Sequence, residues 1–236
     1  MIRLAAVGDV HVGDEPDEAL AADFAGLGDC ADALLLAGDL TRCGTRRETA
    51  LLAEILERVP VPVVAVLGNH DHHADEVDDV VDCLTSVGVT VLEGDTTPLE
   101  LDGTSVGIAG SKGFGGGFVG ASASDFGEPE MKAFVRHTKA IAERLRDGLA
   151  GLDTDHRVAL LHYSLVAATL HGEPPEIFPF LGSYLLAEAV DDAGADLVIH
   201  GHAHRGSERG VTPGGVRVRN VARPLIGSSF RLFELT

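Results

Sequence analysis

The chain has too little of three things to belong to several common classes of protein. It has no run of about 18 apolar residues, the length a membrane-spanning helix needs, so nothing in its 236 residues is expected to cross a bilayer. It has only three cysteines, Cys30, Cys43 and Cys83, an odd number without CxxC spacing. That argues against a disulfide framework and against a cysteine-built zinc cage. Basic side chains are scarce too: 18 Lys and Arg stand against 37 Asp and Glu, a net charge of −19. Such a balance repels polyanions, so a long nucleic acid or an anionic membrane surface is a poor expected partner. Met1 runs directly into the strand-like Ile2–Val7, without the basic, apolar and cleavage segments of a leader, and the expected location is the cytoplasm.

What is present is a regular alternation. Hydrophobic residues make up 45% of the chain, and Gly and Pro punctuate it at short intervals, as in a globular α/β protein. Strand patterns near 2–8, 33–38 and 62–67 are each followed by a helical pattern, near 16–27, 46–58 and 75–87, which predicts a βαβαβ run. Ala33–Ala37 and Val63–Leu67 are apolar on consecutive residues, as in central strands covered on both faces. Their carboxyl ends are expected to open into a ligand crevice.

Strands near 89–92, 98–102 and 104–109 follow, the last two joined by an Asp102-Gly103 turn signal. Residues 111–127 are rich in Gly and Ser and hold three Phe, which predicts a mobile active-site loop. A helix near 128–149 leads to a strand at 157–161, an irregular stretch at 163–183, a helix near 184–194 and a strand at 195–199. Val216–Asn220 and Phe230–Leu235 read as closing antiparallel strands. No internal repeat or linker divides the chain, so residues 1–236 are expected to form one domain.

Five polar clusters fall where an apolar strand ends: GDVH at 8–11, GDLTRCG at 38–44, GNHD at 68–71, LLHY at 160–163 and GHAH at 201–204. Each alone is ordinary turn chemistry. Five at one edge of one sheet would converge in space, on rigid elements able to hold a metal ion's ligands in place. Carboxylate, imidazole and one amide donor suit a borderline divalent metal such as zinc, manganese or iron.

This ordered set, DxH, GD, GNHD, H and GHxH, resembles that of the calcineurin-like metallophosphoesterases and covers residues 9 to 204 without a ligand substitution. The resemblance implies a four-layer α/β/β/α sandwich of two mixed sheets flanked by helices. It also implies two divalent or mixed-valence metal ions (Mn, Zn or Fe). Asp9, His11 and His204 would serve the first ion and Asn69, His162 and His202 the second, with Asp39 bridging. Two such ions about 3.5–4 Å apart lower the pKa of a shared water and present hydroxide to phosphorus. His70 resembles the histidine that protonates the leaving oxygen, and Asp71 is expected either to orient its ring or to cap the following helix.

Other polar residues read more plainly. His72 and His73 are expected as loop histidines, Arg42 and Lys112 as solvated loop charges, and His200 as a residue pointing away from the metals. Phe114, Phe118, Tyr163, His171, Phe178 and Phe180, in the stretches 111–127 and 163–183, could stack on a flat ring or line an apolar cleft. The expected partner is a small anionic phosphate ester: a phosphodiester, a phosphomonoester or a nucleotide. A nuclease on single strands would share every ligand but should add a basic track, which is not evident. A non-catalytic scaffold should have lost ligands, and none is lost. Nothing in the sequence sets the oligomeric state.

Overall fold

The computed structural model describes residues Met1–Thr236. The amino-terminal run is β1 (Ile2–Val7), α1 (Glu18–Ala25), β2 (Ala33–Ala37), α2 (Arg46–Leu56), β3 (Val63–Val66), α3 (Val77–Ser86) and β4 (Thr90–Val91). Next come β5 (Asp95–Leu101), β6 (Thr104–Ser111), the short β7 (Gly117–Phe118) and β8 (Ala121–Ser122), then α4 (Pro129–Gly151) and β9 (His156–Leu161). The carboxyl-terminal third holds α5 (Phe178–Leu181), α6 (Tyr184–Ala193), β10 (Leu197–His200), β11 (Arg209–Val211), β12 (Arg217–Asn220), α7 (Arg223–Ile226) and β13 (Arg231–Leu235). No helix is long and apolar enough to cross a membrane.

The strands form two mixed sheets. The first has the order β13-β1-β2-β3-β4 and the second β11-β12-β10-β9-β6-β5. Each has a parallel centre and an antiparallel edge: β13 runs against β1, β5 against β6 and β11 against β12. The predicted βαβαβ run is therefore present in the first sheet. Both tail strands make the expected antiparallel pairings, β12 with β11 and β13 with β1, and β12 also lies parallel to β10. The alternation of Val216–Asn220 marks a strand, but its parallel pairing is with a neighbour about 20 residues upstream that local pattern does not specify.

Consecutive apolar residues in β2 and β3 face opposite ways. Leu34, Leu36, Val63 and Ala65 pack with Leu20 and Phe24 of α1, Leu52 of α2 and Leu84 of α3. Leu35, Ala37, Val64 and Val66 meet Ile108, Val158, Leu160 and Ile199 of the other sheet. On the far side of the second sheet, Ala159, Leu161 and Val198 are covered by Ile141, Leu145 and Leu149 of α4 and by Leu186 and Val190 of α6. The result is the α/β/β/α layering that the family resemblance implies.

The β5–β6 hairpin closes through Asp102 and Gly103, both at positive φ (49° and 76°), as a two-residue turn matched to strand twist requires. Residues 111–127 are more regular than a mobile loop. β6 reaches Ser111, β7 pairs with β8, and the N–H groups of Gly116 and Gly117 donate to the carbonyls of Pro179 and Gly182. The two irregular stretches are thus stitched to each other by backbone hydrogen bonds, and Gly115 and Gly116, with no Cβ to meet Pro179 and Ser183, let them lie close.

Candidate metal centre

β1, β2 and β3 lead into Asp9, Asp39 and Asn69, while β9 and β10 lead into His162 and His202. The five clusters therefore come from two sheets, three from the first and two from the second, and not from one edge of one sheet. Both sheets place parallel strand ends on the same side of the molecule, and the seam between them becomes the site.

The backbone is forced to turn sharply there. Asp9, His11, Asp39 and His202 have φ of 56°, 45°, 50° and 70°, and only two other non-glycine residues, Asp75 and Asp102, share this region. Left-handed conformations cost roughly 1–2 kcal/mol each for residues with a Cβ and persist where surrounding structure holds them. The hold here is backbone pairing between the loops: Asp9 N–H to Gly38 O at 2.8 Å and His11 N–H to Asp39 O at 3.1 Å. Two glycines leave the room this needs. A Cβ at Gly68 would collide with the Asp39 carboxylate, and one at Gly201 with that of Asp9.

Donor atoms of Asp9, His11, Asp39 and His204 lie within 4.8 Å of one another, and so do those of Asp39, His162 and His202. Asp39 belongs to both groups. Asn69 joins the second, its Oδ1 lying 3.1 Å from His162 Nε2. Asp9 is fixed by the His202 N–H at 2.8 Å and faces His204 Nε2 at 2.8 Å.

Protonation decides whether these groups suit a metal. His162 Nδ1 donates to the Ala37 carbonyl at 2.9 Å, since a carbonyl can only accept, which leaves Nε2 bare if the ring is neutral. Burial keeps it neutral, pushing its pKa down to about 3, and does the same for His202, also to about 3. Bare Nε2 of His162 then faces two more acceptors, Asn69 Oδ1 at 3.1 Å and Asp39 Oδ1 at 3.3 Å. His11 Nε2 is buried with no hydrogen-bond partner at all. Desolvation pushes the Asp9 carboxyl up to about 6, against the opposing hydrogen bonds from His204 and the His202 N–H. The neutral His162 and His202 imidazoles, two carboxylates and an amide oxygen converging in one buried seam fit divalent cations.

The His70 side chain is partly exposed. Its N–H donates to Asp39 Oδ1 at 2.8 Å, its Nδ1 donates to the Arg42 carbonyl at 2.7 Å, and Nε2 is left 3.9 Å from Asp39 Oδ2. Arg42, and not Asp71, orients the ring. Asp71 is fully buried and accepts from the N–H groups of Leu40, Thr41 and Gly68 and from the Thr41 hydroxyl. It does not cap the helical turn either, whose cap position is Asn69. Its expected role is corrected accordingly: it ties the β2 loop, which carries Asp39, to the β3 loop, which carries Asn69 and His70.

His200 lies away from the donors, fully buried, with Nδ1 on the Gly201 carbonyl and Nε2 on the Thr169 hydroxyl. Arg42 is exposed, as expected. His72 lies in the short turn after β3, as expected, and two other expectations fail, those for Lys112 and Tyr163. His72 is only partly exposed and its Nε2 is buried without a partner. Lys112 is half-buried, its ammonium 5.5 Å from the Phe114 ring and 6.0 Å from that of Tyr163. Tyr163, expected as a surface for a flat ligand, is instead buried against His202, ring centroids 4.3 Å apart. The packing of one donor strand's end on a donor from another is a tertiary relation, so no local signal marks it.

Layering of this kind, with such donors at its seam, defines a metal-dependent phosphoesterase. The chain belongs to the calcineurin-like phosphoesterase family, whose profile matches residues 2–206. Among solved structures, it is similar to the phosphopantetheinyl hydrolase PptH of Mycobacterium tuberculosis (18% identity, TM-score 0.65, covering 99% of this chain and 96% of the other). It is also similar to TT1561 of Thermus thermophilus (19%, 0.57, 93% and 88%). A purple acid phosphatase, PPD1 of yellow lupin, matches at 13% identity and TM-score 0.58 over 100% of this chain and 46% of its own. At these identities the likeness is one of fold. No curated protein matches the chain.

Proposed function

We propose that the protein hydrolyses small phosphate esters at a centre of two divalent metal ions. Asp9, His11 and His204 hold one ion, Asn69, His162 and His202 the other, and Asp39 both. The observation that carries this reading is the facing of three proton-free acceptors, His162 Nε2, Asp39 Oδ1 and Asn69 Oδ1, at 3.1 to 3.3 Å in a buried seam. Such an arrangement is repulsive unless a cation occupies the space between them.

When bound, the ions supply Lewis acidity and a nucleophilic water near neutral pH. The chain's own groups do the rest. Asp39 holds its place through the His70 N–H. The Arg42 carbonyl fixes the His70 ring so that Nε2, turned to the site, can hand a proton to the leaving oxygen. His162 is kept in the Nδ1–H form by Ala37. Small substrates suit a protein of net charge −19, whose bulk field repels polyanions.

The test is a panel of chromogenic phosphate mono- and diesters and cyclic nucleotides, assayed with Mn²⁺ or Zn²⁺ beside metal analysis. Two metal equivalents with turnover of at least one ester supports the reading. Failure to turn over any member in the metal-loaded state defeats it.

A further inference from the structure

Lys112 is a half-buried cation beside this centre, within the field of Glu93 and Asp39 but not in an ion pair with either. It follows the last residue of β6, and its carbonyl accepts the N–H groups of His162 at 3.1 Å and Tyr163 at 2.9 Å. The root of the side chain is thereby fixed to the strand end that presents His162. Its ammonium lies over Phe114, 5.5 Å from a ring held in turn by Phe134 at 5.1 Å and His137 at 4.7 Å on α4.

The ammonium makes no ion pair, although most ion pairs of the molecule join an Arg to one of its abundant acids. The nearby Glu93 turns Oε2 to the Lys112 backbone N–H at 3.4 Å instead. Burial lowers the proton affinity of Lys112, while Glu93 and Asp39 raise it, so its charge and that of the shared carboxylate feel each other. His72, whose buried Nε2 has no partner, lies in the same field.

We propose that Lys112 selects phosphomonoesters over phosphodiesters by binding the extra terminal oxygen that only a monoester carries. This rests on the phosphoesterase reading above and names its substrate class. A diester offers two free oxygens and one negative charge; a monoester offers three and up to two. The added oxygen needs a donor and the added charge a cation, and an ammonium on a flexible stem is both. A diester places an organic group there, which leaves the ammonium unmatched.

The experiment compares the wild-type protein, Lys112→Met and Lys112→Arg, all metal-loaded, on 4-nitrophenyl phosphate and bis(4-nitrophenyl) phosphate. Calorimetric titration with inorganic phosphate runs alongside. In Lys112→Met the monoester-to-diester ratio of kcat/KM is expected to fall about ten- to a hundredfold, as loss of a charge-assisted bond implies. Phosphate affinity falls in parallel, and Lys112→Arg recovers part of both. An unchanged ratio overturns the inference. So does an equal loss on both esters accompanied by lower metal content or Tm, which is the signature of a merely structural lysine. A wild-type protein that binds metal and phosphate but hydrolyses neither ester defeats the proposed function alone, and the phosphate titration still decides Lys112. A metal-loaded wild-type protein that does not bind phosphate overturns the inference as well.

Discussion

Nε2 of His162 faces Oδ1 of Asp39 across 3.3 Å with no proton to share, because the ring's one hydrogen is committed to the Ala37 carbonyl. Asp39→Asn keeps the shape of that pair and removes the charge that both donor groups share. Bound metal is expected to fall from two equivalents toward one or none, with hydrolysis lost. Elemental analysis and ester assays on the same preparation check it; full activity in this variant would remove Asp39 from its bridging role.

His70→Ala should behave differently, since His70 is outside both donor groups. Metal content stays at the wild-type level while kcat drops by roughly 10²–10⁴-fold, the usual contribution of a general acid. An ester whose leaving group is already a weak base needs less protonation and is expected to lose less. Comparing alkyl with nitrophenyl esters makes that difference visible.

Tyr163 supports His202 through the packing of its ring. Tyr163→Phe keeps that ring and is therefore expected to bind metal normally. Tyr163→Ala should weaken affinity at the His162/His202 side by about 10–100-fold, the scale seen when a group orienting a ligand is lost. Competition titration with a chelating dye separates the two variants.

Asp71→Asn should leave the fold weaker without touching a metal donor. Four donors converge on the two Asp71 oxygens, and an amide would turn an N–H₂ toward some of them. The cost is about 2–3 kcal/mol for unmet buried groups, read as a lower midpoint in urea.

Asp17 gives the pH-dependent case. The Arg223 guanidinium at 2.6 Å holds its carboxyl below the ordinary value, against a smaller opposing effect of burial. A depressed folded pKa means stability that is present above the unfolded value and lost as pH falls through the folded one. Asp17→Asn keeps an oxygen for the Leu20 N–H at the start of α1. It is expected to cost about 0.5–1 kcal/mol near neutrality, the range of a partly exposed ion pair. The difference from wild type should shrink as pH falls below about 4, the ordinary carboxyl value, and close once the folded carboxyl is protonated. Thermal melts across that range test it.

Much of this was legible in the chain. Ala33–Ala37 and Val63–Val66 read as buried strands because every residue in them is apolar, and the polar residues after each one are where the donors lie. Partner choice was not legible. Whether β9 joins β3 or founds another sheet is decided by layers that pack together from distant parts of the chain, so the pattern predicts one edge where two meet. Lys112 reads as solvated because it sits in polar, glycine-containing sequence. Lys112 is covered by Phe114 and Tyr163, and Asp71 owes its role to N–H groups about 30 residues earlier, relations that only the tertiary fold creates.

The seam between the sheets has a consequence for the protein's birth. One donor group needs Asp9, His11 and Asp39 together with His204; the other needs Asp39 together with His162 and His202. Neither is complete on a nascent chain until β10 has left the ribosome and the second sheet has closed on the first. Even then Gly8, beside Asp9, is paired on both sides by the last segment: its N–H donates to the Val221 carbonyl and its carbonyl accepts from the Arg223 N–H. With the proposed ligands, metal loading is expected late in biosynthesis, with the ions acting as rivets between halves already made.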